Sequence, residues 1–246
     1  MNQSLPRLAL RRSIQLAHRW LGALLLLQFL LWMASGAFMS LVNMDEVGGA
    51  PNRSIGGEPE LAPRAYFPPG GVIAGLEGVE GVRLENLGSR PVYVVAHSDG
   101  ETMFDAESGE RIQLSEAAII AIARNSFVGE GEPVSAKLLN ENPVDFRGAT
   151  PVWRVTINDK ASTRIYISPV TGAVLAHRNQ LWRIYDFFWM LHIMDYDERS
   201  NYSNPLLRIS SVTGLLFVLT GAFLVWTRVR AGRYGEDISR TSRHSS

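Results

Sequence analysis

Two long uncharged apolar runs constrain this chain more than any other feature of its sequence. Residues 20–42 contain no charged side chain, and at about 1.5 Å per residue such a helix crosses the roughly 30 Å hydrocarbon core of a bilayer. A second uncharged run covers residues 209–226 and follows two leucines at positions 206 and 207. We therefore predict transmembrane helices over residues 20–42 and 206–227.

The first run raises the question of a cleaved signal peptide. Its basic N-terminal flank fits one, but the apolar region of a signal peptide usually has only about 7–15 residues. No early pattern of small residues marks a cleavage site within the run. The sequence favours a retained membrane anchor.

The distribution of charge predicts the orientation of both helices. Residues 1–19 carry four arginines and no acidic residue, and residues 228–246 carry five arginines against two acidic residues. The remaining residues, 20–227, hold 15 basic and 22 acidic side chains. Because basic flanks stay in the cytoplasm, we expect two cytoplasmic tails, 1–19 and 228–246, and an extracytoplasmic middle.

Composition excludes several classes of function. Lysine plus arginine equals aspartate plus glutamate at 24 each, which argues against a strongly basic nucleic-acid binder. The chain has no cysteine, which excludes disulfides, thiolate metal sites, iron–sulfur clusters and c-type haem attachment. We expect membrane lipid, and no nucleic acid, among its partners.

An internal repeat predicts the fold of the extracytoplasmic domain, residues 43–177. The segment PVYVV at 91–95 recurs as PVWRV at 151–155, and DAESGERI at 105–112 corresponds to SPVTGAVL at 168–175. Each copy predicts a short antiparallel β unit with a hairpin turn. Between the copies Ser115 caps one clear helix, and residues 45–75 are a Gly/Pro-rich linker. The predicted fold class is α+β, flanked by the two transmembrane helices.

Two of the five histidines are candidate ligands. His18 lies at the cytoplasmic mouth of the first transmembrane helix, where it is either an interfacial residue or a functional one. His192 belongs to residues 178–205, an aromatic amphipathic helix followed by a loop, with aromatic residues at helical spacing. Those aromatics are Trp182, Tyr185, Trp189 and Tyr196. They indicate either a helix lying at the membrane surface or a flat slot for a porphyrin.

The other polar candidates are weaker. His97 and His177 are predicted to be surface residues next to strands, and His244 lies in a polar tail. The acidic residues at 195, 197 and 198 favour a solvated turn over a metal site. The tetrapeptide SGAF at 35–38 recurs as TGAF at 220–223, and the sequence alone assigns no role to this repeat.

Several motifs together resemble a known family. The predicted helix followed by PVWRVTINDKASTRIYISPVTGAVL resembles a PepSY domain. Two further segments resemble the two spans of PepSY-associated membrane proteins. They are AHRWLG at 17–22 and LHIMDY at 191–196, and a glycine-containing apolar run follows each of them. PepSY domains were named from protease propeptides with inhibitory roles. Their membrane relatives include bacterial inner-membrane ferric-siderophore reductases that carry b-type haem and usually have four or more spans.

The resemblance implies a two-pass protein of the bacterial inner membrane with a periplasmic central domain. It also implies haem b, with His18 and His192 as iron ligands and Trp189 and Tyr185 beside the cofactor. The two histidines lie on opposite sides of roughly 30 Å of bilayer, so one haem cannot bridge them within a chain. A homodimer or a partner subunit of a membrane complex would have to supply the second ligands.

Three functions remain open at this stage. The first is transmembrane electron transfer through haem, in support of ferric-complex reduction. The second is an accessory subunit of a larger membrane complex. The third is a tethered PepSY module that binds a partner protein or peptidase without a cofactor. The sequence leaves open whether the chain is an enzyme, and it contains no recognisable catalytic motif.

Overall fold

A computed structural model describes residues 4–54 and 65–230, with side chains described from residue 10 onward. The chain has two compact units. The apolar unit is Met1–Leu41 with Asp186–Ser246, and the sheet unit is Val42–Tyr185. The helices are α1 (Ser4–Leu41), α2 (Met44–Val47), a 3₁₀ turn (Ala50–Asn52), α3 (Pro69–Ile73), α4 (Glu116–Ser126), α5 (Gln180–Ile193) and α6 (Pro205–Arg230).

The sheet unit contains two four-stranded antiparallel sheets, each with its strands in chain order. The first consists of β1 (Gly81–Leu87), β2 (Arg90–His97), β3 (Gly100–Asp105) and β4 (Arg111–Ile112). The second consists of β5 (Pro133–Leu139), β6 (Val152–Ile157), β7 (Arg164–Ile167) and β8 (Val174–Arg178). The repeated segments occupy equivalent strands, β2 and β6, so the predicted α+β fold with two repeated β units is confirmed.

Helix α4 covers one face of the second sheet. Ser115 caps it by accepting a hydrogen bond from the Ala118 amide at 3.3 Å. Ile119 and Ala123, four residues apart on one helix face, are fully buried against alternate residues of β6 and β7 such as Val155 and Ile165. The opposite face of the same sheet packs Val152, Tyr166 and Ala176 around the loop residue Phe146. Because apolar side chains cover both faces, the middle strands are buried.

The apolar unit contains two helices long and apolar enough to span a membrane, Leu10–Leu41 within α1, and Pro205–Arg230. Large apolar side chains on both helices are exposed, which suits contact with lipid tails rather than water. Examples are Leu24, Leu27, Leu30, Met33, Leu215, Leu219 and Val225. On their facing sides, Phe29 of α1 contacts the Phe217 ring of α6 at 5.9 Å between ring centroids.

The structure adds detail to two segments defined from the sequence. Helix α1 begins at Ser4, so the basic segment predicted as a cytoplasmic tail, residues 1–19, is helical from that residue and continuous with the first apolar helix. The predicted linker, residues 45–75, contains helical turns at both ends. At its C-terminal end, α3 packs Val72 onto the first sheet. Linker residues 55–64 lie outside the described part of the chain, as do residues 231–246 with His244.

His177 is buried rather than at the surface, with only 4% of its surface exposed. It lies on β8 next to the C-terminal end of α4, where the Ser126 hydroxyl donates to the Ala123 carbonyl at 2.9 Å. That hydroxyl oxygen therefore accepts from Nε2–H of His177 at 3.3 Å. Burial, together with the positive charges of Arg53 and Arg178, lowers the pKa of His177 to about 4.

We expect acid to destabilise the sheet unit through His177. The unfolded chain binds a proton near the ordinary pKa of 6.5, and the folded chain resists it down to about 4. Stability is therefore fully present above pH 6.5 and is lost as the pH falls towards 4, by about 3 kcal/mol in total. Denaturation of the purified chain between pH 7 and 4 measures this, and His177→Gln should flatten the profile. His97→Gln is the control, and an unchanged slope in His177→Gln would contradict the assignment.

Candidate functional site

His18 projects from α1 onto the second apolar helix, α6. Its Nδ1 lies 2.9 Å from the Thr220 hydroxyl oxygen and 3.2 Å from the Phe217 carbonyl oxygen. The imidazole stacks on the Phe217 ring, with centroids 4.3 Å apart and planes 5° from parallel. The ring is therefore held by two polar contacts on one nitrogen and by an aromatic face.

His192, on α5, contacts the other end of α1 in a matching way. Its Nδ1 lies 3.1 Å from the hydroxyl oxygen of Ser35, which is completely buried. The Trp32 indole donates a hydrogen bond to the backbone carbonyl of His192 at 2.7 Å, which ties the end of α5 to α1. Ser35 lies 17 residues after His18, about 26 Å along an α-helix, so the two imidazoles occupy different levels.

The hydroxyl groups determine which nitrogen of each ring carries the proton. Ser35 donates to the Leu31 carbonyl at 2.6 Å, and Thr220 donates to the Phe217 carbonyl at 2.8 Å. Each hydroxyl hydrogen is thus used on the helix backbone, and the oxygen is left to accept from Nδ1–H. At His18 the second neighbour of Nδ1 is a carbonyl oxygen, which can only accept. In the neutral form, each imidazole therefore keeps the lone pair on Nε2.

A glycine follows each of the two hydroxyl residues and leaves space for the imidazole of the histidine that the hydroxyl contacts. A methyl group added at Gly221 would lie 3.0 Å from Cε1 of His18. One added at Gly36 would lie 3.4 Å from Cε1 of His192. The repeated tetrapeptides SGAF and TGAF therefore share one structural task, because each presents a hydroxyl and a bare backbone to one histidine.

An apolar groove of about 490 Å³ opens beside His192. It is lined by Trp32, Met33, Gly36, Ala37, Ser40 and His192, all within the apolar unit. The small residues at positions 36, 37 and 40 follow one side of α1 and leave the groove shallow and open. A flat apolar ligand with a metal or a hydrogen-bond donor at its centre is the chemistry that such a groove and an imidazole suit.

The aromatic slot predicted around His192 differs from the structure. The Trp189 indole donates to the Arg199 carbonyl at 3.1 Å and packs edge-on against Tyr202, so it braces the loop after α5. Within the described residues, neither Trp189 nor Tyr185 lines the groove. Tyr185 and Trp189 do lie on α5 at helical spacing, but the Trp189 ring, which that spacing placed beside a cofactor, packs against the loop after α5.

The acidic turn after α5 is structural. The Asp195 carboxylate accepts from the Ser200 and Asn201 amides at 2.9 and 2.8 Å and so closes the loop. These backbone hydrogen bonds, that of Asn201 foremost, lower the pKa of Asp195. Within the described residues there is no group of three or more His, Asp or Glu that could hold a metal ion.

Comparison with known proteins supplies one family assignment. Residues 113–178 match the model of PepSY, the peptidase propeptide and YPEB domain family. The match covers α4 and the whole second sheet, so the chain contains a PepSY domain between its two apolar helices. Neither the curated proteins nor the solved structures gave a match.

Proposed function

We propose that this chain is a two-pass protein of a bacterial inner membrane that binds haem b through His18 and His192 and transfers electrons across the bilayer. Both termini lie in the cytoplasm and the PepSY domain lies in the periplasm, in keeping with the basic flanks of both apolar helices. Electrons delivered there would support reduction of ferric complexes.

One observation carries the proposal: two imidazoles, on different elements, are held in the same tautomer by the same local motif. In each, Nδ1 lies within hydrogen-bond distance of a hydroxyl oxygen whose own hydrogen is used on the helix backbone, and this leaves the lone pair to Nε2. This is the state in which histidine binds a metal, with the second nitrogen oriented by a hydrogen bond. Bound haem supplies an iron that alternates between ferric and ferrous states and so carries one electron.

Each histidine would provide one ligand to a haem iron at its own level of the membrane. His18 and Ser35, the hydroxyl partner of His192, are about 26 Å apart along α1, so the second ligand at each level would come from another chain. A two-fold homodimer places His18 near its mate and His192 near its mate, and partner subunits of a membrane complex are the other source. The exposed apolar faces of both helices leave room for either.

A second candidate function is a tethered module that binds a partner protein or peptidase without a cofactor. A cleft of about 320 Å³ in the sheet unit favours it. Trp153 and Leu138 give this cleft an apolar wall, while Arg111 and Glu101 supply charge at its edge. An extended peptide segment suits such a cleft. This module would tolerate the loss of both membrane histidines.

A reduced-minus-oxidised visible spectrum of the detergent-purified chain separates the two functions. We expect a b-type spectrum, with part of its intensity lost in His18→Ala and another part lost in His192→Ala. His97→Ala, a histidine of the sheet unit, is the matched control and should keep the full spectrum. A colourless protein from haem-replete cells would reject electron transfer by this chain and leave the partner-binding module.

A further inference from the structure

A cluster of cationic side chains lies on the face of the second sheet that α4 does not cover. Arg154 on β6 is directly opposite Tyr166 on β7, so their side chains share this face. Arg164 precedes Tyr166 by two residues and points the same way. Arg183, from α5, lies beside them, with its Nη1 3.9 Å from the carboxylate of Asp145. Three guanidinium groups therefore converge on one side of the sheet.

The carboxylate at their centre is fully engaged. Asp145 is almost completely buried, and it accepts from the Tyr166 hydroxyl at 2.7 Å and from Arg164 at 2.9 Å. Burial raises its pKa, but these two hydrogen bonds outweigh burial and hold the pKa of Asp145 below its usual value. The nearby Asp159 uses both carboxylate oxygens on Thr163, at 2.7 and 2.6 Å. Positive charge is left in excess on this face.

Two donors in this cluster have no acceptor. The Nε atom of Arg154 and the Nη1 atom of Arg183 are buried and form no hydrogen bond within the described residues. Arg183 uses Nη2 on the Ala161 and Ser162 carbonyls, which positions its guanidinium. Its Nη1 faces the Asp145 carboxylate from 3.9 Å, beyond hydrogen-bond distance. Buried charged donors without acceptors are costly, and native proteins rarely keep them without a protein, water or ion partner.

The local charge balance also sets this part of the domain apart. Residues 132–185 carry seven lysines and arginines against four acidic residues, whereas residues 42–131 carry six against fourteen. The excess of positive charge therefore coincides with the half of the sheet unit that holds the unpaired donors. A ligand that completes the cluster must be anionic and must offer several oxygens.

We propose that this face binds a phosphate group through Arg154, Arg164 and Arg183. A phosphate presents its oxygens in three dimensions, so it can accept from guanidinium groups that approach from a strand and from a helix at once. The group belongs either to a phospholipid headgroup or to a soluble phosphate compound. The chain has two helices that can span a membrane, so phospholipid is continuously available to it.

The test titrates the full-length, detergent-solubilised chain with three probes: phosphatidylglycerol, phosphatidylcholine with the same acyl chains, and inorganic phosphate. Native mass spectrometry reports lipid binding, and the thermal unfolding midpoint reports phosphate binding. We expect phosphatidylglycerol to bind at least tenfold more tightly than phosphatidylcholine if the headgroup is the ligand. A shift with inorganic phosphate alone would assign the site to a soluble compound.

The double variant Arg154→Gln/Arg183→Gln should weaken the preferred probe at least tenfold. The matched control, Arg83→Gln/Arg124→Gln, removes the same charge from arginines already paired with Glu101 and Glu132. It should bind like the unaltered chain. If the double variant unfolds, Arg154→Gln alone serves, since it breaks none of the described hydrogen bonds. Equal binding by both double variants, or no binding of any probe, would overturn the proposal.

Discussion

Replacing Asp145 by asparagine is expected to lower the free energy of unfolding by about 3 kcal/mol, the low end of the range for breaking a buried ion pair. The carboxylate is only 4% exposed, while its partner Arg164 is 37% exposed. Water therefore reaches the arginine and softens the loss. The neutral amide keeps the shape but loses the charge that holds Arg164 and the Tyr166 hydroxyl. Several cations then remain on this face with their central anion gone.

The measurement is chemical denaturation of the full chain in detergent, followed by circular dichroism in a phosphate-free buffer. Phosphate is left out because a bound anion would replace part of the lost charge. Glu101→Gln is the control, since it breaks a pair with Arg83 in which both partners are well exposed. We expect almost no change from that control. Equal destabilisation by the two variants would show that burial of Asp145 does not increase the free-energy cost of losing its charge.

Those elements of the fold that are encoded locally could be predicted from the sequence. The repeat PVYVV and PVWRV identified β2 and β6, because alternating apolar residues next to turn residues define a strand within a few positions. Ser115 identified the start of α4 for the same reason, since a cap acts on the amide three residues later. The two apolar helices followed from length and composition.

Contacts between distant residues could not be predicted in this way. His177 looked like the end of an exposed strand, and only the packing of α4 beside β8 explains why it is buried. Trp189, which helical spacing placed in the predicted aromatic slot, donates a hydrogen bond to the loop after α5. The hydroxyl partners of His192 and His18 lie 157 and 202 residues away in the chain, respectively. The repeat of SGAF and TGAF was the one available signal, and its meaning required the tertiary structure.

That repeat leads to the prediction with the largest effect on the proposed cofactor. We expect Thr220→Val to weaken haem retention at the His18 level by about 10- to 100-fold, the usual cost of removing a group that orients a metal-binding histidine. Valine keeps the size and branching of threonine but cannot accept from Nδ1–H. Thr220→Ser restores the oxygen and should restore retention. Ser35→Ala, with Ser35→Thr as its rescue, makes the same test at His192.

The paired variants separate orientation from packing. If the hydroxyl only fills space between α1 and α6, valine fills it as well as threonine and serine fills it worse, so retention would follow volume. If the hydroxyl orients the ring, retention follows the oxygen instead, and the imidazole ¹⁵N shifts of His18 in the haem-free chain move only in the valine variant. That second readout needs no cofactor. A haem-free protein with the expected tautomer would reject the proposed electron transfer and still confirm that the hydroxyl orients the ring. If haem retention instead follows the volume of the side chain at position 220, the hydroxyl has no part in orienting His18.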